Sequence, residues 1–496
     1  NKKSTISINN INEYTHDGRK MNVVVLFPDD WRHDSIGAEN PIIKTPFLDS
    51  LAQQGMRFRQ NAVTTSICWQ SRATLFTGQW ASRHQSFKLK CPHFAKGKNW
   101  NHTWPALLQQ KAGYYVGHVG KWQYHSENKG RFDWSSYFEG KHVFRKQGKN
   151  IAAEDFAKNE TIRFLNDRPK DKPFAVTVAF YPPKPVSNSQ EPGGQWTPKK
   201  EYRAIYDNMT IPEPFNHTTA FKLLPDFLQR DRSAAAARWR FRYSTPFHYQ
   251  EAMKNIYSLI TQVDHACKEI VDELKKQDIY NNTLIIFTTD NGMFHGAHGL
   301  AGKWYPYQES IRVPLIVYDP RMPLEKRGVV DDSFTLNVDL AETILGAAGL
   351  KPHKLMQGRD MSDLYLPKIK DGKSVLERKP WRDEFFYEFT IWDENFIPSS
   401  NALVRKKWKF IHWYTKDAFQ LFDLDSDPLE LHDVKDDPAN ADIVRDMKFR
   451  LFQLQDGLKE PDIGCKYDNY DFIQPIPETL AESANATIAG KGTVKF

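Results

Sequence analysis

The chain has 496 residues, with 68 Lys and Arg against 61 Asp and Glu, a net charge of +7 spread along its length; 40% of residues are hydrophobic and 26% charged. With 32 Phe, 20 Tyr and 14 Trp it has ample material for a core, which excludes a disordered chain. Its longest apolar runs, Val23 to Phe27 and Leu284 to Phe287, fall far short of the roughly 18 residues of a membrane-spanning helix, so no membrane span is expected.

The excess of positive charge suits an anionic small molecule or polysaccharide without requiring nucleic acid. Four cysteines (Cys68, Cys91, Cys267, Cys465) are too few for a disulfide scaffold, and none is spaced as CxxC.

In chain order, Met21 to Phe27 reads as a buried strand that ends at Pro28, Asp29 and Asp30. Phe47 to Gln54 and Trp104 to Lys111 have helical spacing and close on Gly55 and Gly113; the strand-like runs Met56 to Val63 and Tyr114 to Val119 follow them. Phe174 to Tyr181, Thr283 to Thr289 and Val313 to Tyr318 complete the expected central strands. Glu251 to Lys276 carries apolar residues at i, i+3, i+4 and i+7, as a helix packed on a sheet requires. Strands alternating with helices imply an α/β layer fold. Between them Pro182 to Pro246 is polar, Pro-rich and Arg-rich without a period, and reads as a substrate-side insertion. Asn337 to Gly349 reads as a helix and Lys368 to Lys379 as a linker. Beyond it, Glu384 to Thr390, Ala402 to Trp408, Phe410 to Tyr414 and Phe419 to Leu424 read as short strands, and Asp442 to Leu454 as a helix. The fold class expected is therefore α/β, a large mixed, mostly parallel sheet between helices, with a smaller C-terminal α+β unit of antiparallel sheet plus helix.

Open α/β sheets present ligands at the carboxyl ends of their strands. Asp29 and Asp30 follow the first strand, and Asp290 and Asn291 follow Thr283 to Thr289. Three carboxylates and an amide oxygen make an all-oxygen site for a hard cation such as calcium or magnesium, although each pair alone is also ordinary turn chemistry. Cys68-Trp69-Gln70-Ser71-Arg72 reads as a loop before a helical turn, Ala73 to Thr77, that stops at Gly78. A thiol at a helix N-terminus near an arginine is a candidate nucleophile; the competing reading is a buried structural cysteine.

The stretch Cys68 to Gly78 resembles the signature of the type I sulfatases, members of the alkaline phosphatase superfamily. Asn22 to Asp30, Gly120-Lys121-Trp122, Thr289 to Gly292, His298-Gly299, Lys303, Arg312-Val313-Pro314, Leu421 to Leu424 and Asp427-Pro428 resemble further landmarks of that family in the same order. The resemblance implies an alkaline-phosphatase-like fold, a catalytic domain over residues 1–375 with the insertion at about 182–246, and a C-terminal subdomain over 376–496. It implies that Cys68 is oxidised to formylglycine by a formylglycine-generating enzyme or its equivalent. One hydroxyl of the hydrated aldehyde would attack sulfur to form a covalent sulfo-enzyme, and the other would collapse to expel sulfate. It implies Ca2+ held by Asp29, Asp30, Asp290, Asn291 and residue 68. Arg72 would hold the gem-diol, Lys121 and Lys303 would bind sulfate, and His298 would protonate the leaving oxygen, with His125 and His295 behind it.

The chain departs from the family pattern in three places. Gln70 stands where proline or alanine is usual, Gln123 stands where a histidine follows Gly-Lys-Trp, and Pro182-Pro183-Lys184-Pro185 replaces a Pro-His-x-Pro segment. Lys184 and Gln123 are thus expected substrate contacts. Arg230 to Tyr243 interleaves Arg230, Arg232, Arg238, Arg240 and Arg242 with Trp239, Phe241 and Tyr243, a pattern that can pair anions and stack on sugar rings; the same pattern suits nucleic acid, and the competing reading is a solvated helix whose aromatics reach the core. Arg238, Arg240 and His248 are expected substrate contacts, with Trp196 and Trp392 as further ones. The function expected is hydrolysis of sulfate esters of a sulfated polysaccharide or oligosaccharide, in a secreted or periplasmic protein. The rivals are a phosphoesterase or phosphonate hydrolase of the same superfamily, and a silent glycan-binding homologue. Asn291 at a position where a two-zinc phosphatase needs histidine argues against a phosphatase.

Overall fold

A computed structural model describes residues 20–458, apart from 88–91, 125–129, 139, 147, 187–188, 231–232, 371–372, 376–379 and 391–395. Its centre is an eight-stranded sheet built from Asn22–Leu26 (β1), Met56–Phe58 (β2), Tyr115–Gly120 (β3), Trp134–Tyr137 (β4), Phe174–Ala179 (β5), Thr283–Phe287 (β6), Ile316–Tyr318 (β7) and Val329–Asp331 (β8). The spatial order is β8-β2-β7-β6-β1-β5-β3-β4. β6, β1, β5, β3 and β4 run parallel, whereas β7 is antiparallel to β6 and β2, so the sheet is mixed and mostly parallel.

Every residue of β1 is buried because both faces of the sheet are covered. The two-residue strand period sends Val23 and Val25 to one side and Val24 and Leu26 to the other. The first side packs on helices Cys68–Thr77 (α2) and Asp339–Ala347 (α6); the second packs on Pro46–Gln54 (α1), Ala153–Asp167 (α3) and Pro246–Lys276 (α5). Each such fully buried Val, Leu or Ile contributes about 1.5–3 kcal/mol. The four strands Glu384–Phe389, Ser400–Arg405, Trp408–Trp413 and Ala418–Asp423 form an antiparallel sheet in sequence order, packed on helix Ala441–Leu458 (α7). Its apolar residues, including Phe386, Leu403, Phe410 and Leu421, continue the first core without a break.

The architecture matches the expected fold class, while several boundaries differ. Met56 to Val63 is not one strand: a turn at Arg59 and Gln60 divides β2 from Asn61–Ala62, which pairs with Thr335–Leu336. The insertion is not structureless, for it contains helix Ala234–Arg242 (α4), whose run of four alanines favours a helix. α5 begins at Pro246, where the Thr245 hydroxyl accepts from His248 N at 3.1 Å and proline takes the first turn. Cys68 opens α2 itself rather than lying in a loop before it. The linker at Lys368 to Lys379 holds a short antiparallel pair, Lys368–Lys370 with Lys373–Val375. The boundary between the second and third C-terminal strands falls at Lys406 and Lys407, which places Trp408 in the later strand.

Candidate active site

Four parallel neighbours, β6, β1, β5 and β3, present their carboxyl ends side by side, and each end leads into a charged residue. β6 leads to Asp290 and Asn291, β1 to Asp29 and Asp30, β5 to Lys184, and β3 directly to Lys121. The ends are tied together: Thr289 Oγ1 donates to Pro28 O at 2.8 Å, and Lys121 N donates to Ala179 O at 2.8 Å. Gly120 is required at that crossing. Its φ is +97°, and a Cβ there would lie 2.1 Å from Ala179 O.

α2 aims its N-terminus at this edge. Cys68 is its first residue, and Arg72 lies one turn on, on the same face. The Cys68 sulfur is 3.5 Å from Asp29 Oδ1 and 3.9 Å from Asp30 Oδ1. Two ammonium groups converge on it, Lys303 Nζ at 2.8 Å and Lys184 Nζ at 3.0 Å. Arg72 forks between Asp290 Oδ2 (Nε, 3.0 Å) and Asp29 Oδ2 (Nη2, 3.1 Å) and lies over the Phe27 ring. Lys121 bonds Asp29, Lys303 bonds Asp30, and Lys184 reaches Asp29 Oδ1 at 3.3 Å. Lys184 is the outermost member at 21% exposure, whereas Asp29 and Asp290 are fully buried.

Burial alone raises the Asp29 carboxyl, but Lys121, Lys184 and Arg72 outweigh it and hold it well below the ordinary range; Asp30 is likewise lowered against its burial by Lys184 and Lys303. Burial lowers Lys184 and Lys303, yet their carboxylate neighbours raise both, whereas at Lys121 burial outweighs Asp29 and the ammonium is lowered. Ligand atoms of Asp29, Asp30, Cys68 and Asp290 all lie within 4.8 Å of one another. Asn291 donates through Nδ2 to Asp30 Oδ1 (2.7 Å) and Gly292 O (3.0 Å), which leaves its buried Oδ1 without a partner. Three carboxylates and an orphaned amide oxygen fit a hard dication, and the absence of histidine from the set disfavours zinc.

The other expected site residues are scattered. His298 is buried with φ +57° against Tyr307 and Phe294, its Nε2 3.5 Å from Glu309 Oε2; among the described residues no hydrogen bond or ion pair joins it to Cys68 or the acidic cluster. Gln123 is buried at φ +72° with Oε1 unpartnered. His248 is engaged in the cap of α5, its Nδ1 2.7 Å from Thr245 Oγ1. Arg238 lies over the Trp304 ring, next to Lys303 in the chain. Arg240 is half-buried and, two residues on, points away from the Arg238 face. His125, Arg232 and Trp392 lie outside the described residues.

Glu309, the partner of His298, gives no local signal in the sequence. Arg242, named with the other arginines of its stretch but not singled out as a contact, shares the Arg238 face by its i, i+4 spacing. Burial alone raises the Glu309 carboxyl, but His298 and Arg32 hold it at about 2. A depressed carboxyl adds stability that is present above its ordinary 4.5 and is lost as pH falls toward that native value. Glu309→Gln is therefore expected to flatten the fall in stability between about pH 5 and 3, read by urea denaturation at a series of pH values; an unchanged slope excludes Glu309 as a source.

Residues 21–350 match the family described as Sulfatase, and residues 296–457 match N-sulphoglucosamine sulphohydrolase, C-terminal. A Bacteroides thetaiotaomicron N-acetylglucosamine-6-O-sulfatase is 25% identical, over 91% of this chain and 89% of its own length. The human N-acetylglucosamine-6-sulfatase is 26% identical over 75% of this chain and 67% of its own. A solved complex with its substrate, D-glucosamine-2-N,6-O-disulfate, superposes with a TM-score of 0.73 at 23% identity, covering 90% of this chain and 99% of that one. The phosphonate monoester hydrolase of Agrobacterium radiobacter shares the fold with a TM-score of 0.67 at 20% identity, over 88% and 96% of the two chains.

Proposed function

Because this chain belongs to the sulfatase family and is a sulfuric ester hydrolase, we propose that it desulfates a carbohydrate of the N-acetylglucosamine 6-sulfate kind, with residue 68 as the nucleophile. The observation that carries this reading is the convergence of Lys184 and Lys303 on the Cys68 sulfur, above a buried acidic cluster. When Cys68 has been oxidised to formylglycine by a maturation enzyme, and Asp29, Asp30, Asp290 and Asn291 hold calcium, these groups supply a hydrated-aldehyde nucleophile and a positive centre.

The remaining work belongs to the chain's own residues. A sulfate monoester is an anion that repels a nucleophile, so positive charge must surround its oxygens. Lys184 and Lys303 stand where they neutralise those oxygens at residue 68, and the α2 N-terminus adds its partial positive charge. Arg72 and Lys121 lock Asp29 and Asp290, so that little rearrangement accompanies the charge shift. His298, held by Glu309, is assigned to protonating the departing alcohol. Among the described residues no helix is long and apolar enough to cross a membrane. A substrate of sulfated polysaccharide, met outside the cytoplasm, supports a secreted or periplasmic setting.

Mass spectrometry of the tryptic peptide Gln60 to Arg72 from the native host tests the reading, since formylglycine differs from cysteine by loss of hydrogen sulfide and gain of oxygen. A panel of sulfated sugars, alongside phosphate and phosphonate esters, then reads the substrate. Unmodified cysteine with glycan binding and no turnover establishes the silent homologue. Faster hydrolysis of the phosphorus esters establishes the phosphonate hydrolase.

A further inference from the structure

We propose that Arg238 and Arg242 form a second anion subsite beside the scissile-sulfate pocket, so that the preferred substrate carries another sulfate or carboxylate near the ester that is cleaved. The inference deepens the sulfatase reading and rests on it for the identity of the first anion.

α4 is docked on the walls of the site. Ser233 Oγ lies 3.1 Å from Tyr305 OH, and Ala301 N donates to Ala235 O at 3.0 Å, which fixes the helix against the loop that carries Lys303. The i, i+4 spacing puts Arg238 and Arg242 on one face of α4. The Arg238 guanidinium lies 4.9 Å from the Trp304 ring centroid, and Trp304 is the chain neighbour of Lys303. The Arg242 guanidinium lies 5.5 Å from the Trp196 ring, whose Nε1 donates to Pro183 O at 2.9 Å, next to Lys184. Each arginine thus lies over an indole tied to one of the two lysines on Cys68.

A ring accepts no conventional N–H hydrogen bond in its plane, so the indole contacts leave guanidinium N–H donors for a ligand. Arg242 is only 2% exposed, and the Nε atoms of both arginines are buried without an acceptor. Among the described residues neither arginine is ion-paired with a carboxylate, although both feel Asp30 across the site. Burial, and for Arg238 the neighbouring Arg242, works against their charge. Two desolvated like charges with free donors are costly in isolation. A bound anion offsets that cost by accepting paired hydrogen bonds from both, which is the planar recognition arginine provides for sulfate and carboxylate.

The test is calorimetric binding to calcium-loaded Cys68→Ala protein, which cannot turn its ligand over. Three probes are compared: glucosamine 6-O-sulfate, glucosamine 2-N,6-O-disulfate, and a 6-O-sulfated glucosamine linked to a uronic acid. At least one doubly anionic probe is expected to bind roughly tenfold or more tighter than the monosulfate, and Arg238→Gln with Arg242→Gln is expected to bring that ratio close to one. The tighter of the two identifies sulfate or carboxylate as the second anion. Equal affinities, no binding of any probe, or a ratio that the double variant leaves intact overturns the subsite. Should the double variant fail to fold, judged by melting, Arg238→Gln alone carries the comparison, since that side chain is half-buried. If formylglycine-bearing protein turns over none of these esters while the affinity ratio holds, the glucosamine 6-sulfate reading fails and the subsite stands.

Discussion

Alanine in place of Cys68 is expected to lower the turnover of a susceptible sulfate ester by roughly 10⁴-fold or more, with the fold intact. The expectation follows from the surroundings of the sulfur. Lys184 and Lys303 both donate to it, yet each also bonds a carboxylate of Asp29 or Asp30, so removing the sulfur leaves neither ammonium unpaired. The cost in stability is therefore confined to a small cavity at the start of α2, on the order of 1 kcal/mol. Steady-state kinetics and a melting curve on the same preparation check both halves, and near wild-type activity rejects residue 68 as nucleophile. Cys68→Ser is the sharper companion. A serine oxygen can form a sulfate ester but cannot expel sulfate by collapse to an aldehyde, so at most one stoichiometric turnover is expected. Sustained turnover by the serine protein removes the need for formylglycine.

Arg72→Met is expected to destabilise the calcium-free protein by about 3–5 kcal/mol, the usual cost of removing one partner of a buried ion pair. Arg72 is 2% exposed and bridges Asp290 and Asp29, both fully buried. Asp29 keeps Lys121 and Lys184, but among the described residues Asp290 retains only the Asp30 amide at 3.1 Å and a long contact at 3.4 Å with the Thr289 hydroxyl, which also donates to Pro28 O at 2.8 Å. A dication bound by these carboxylates replaces part of the missing charge, so calcium in excess is expected to restore stability in proportion to the logarithm of its concentration over its dissociation constant. Urea denaturation with and without calcium separates the two effects. A loss below about 1 kcal/mol without calcium contradicts the role assigned to the guanidinium, and a midpoint indifferent to calcium contradicts the metal site.

What could be read from the chain alone is what lies close together along it. The continuous β-branched run of Asn22–Leu26, bounded by polar residues, and the 3.6-residue apolar spacing of the Pro246–Lys276 helix are both local patterns, so strand and helix are evident without a partner. The carboxylates directly after two strands, and a cysteine one helical turn before an arginine, are also local arrangements. Helix Ala153–Asp167 was overlooked because its buried stripe is narrow and weakly apolar, Ala157, Thr161, Phe164 and Leu165 amid charged neighbours. The Lys184 and Lys303 contacts with Cys68, 116 and 235 residues away, depend on strand order and on the path of the loops.

Local patterns along the chain by themselves determined the α/β class, the two acidic pairs that follow separate strands and a nucleophile candidate at residue 68, since each pattern lies within one segment of the chain. Only the tertiary structure decided that His298 answers to Glu309, and that Arg238 and Arg242 lie over the Trp304 and Trp196 rings. The physical reason is that a charge acquires its partner from whatever the packed sheet brings within a few ångströms. That distance has no counterpart in separation along the chain.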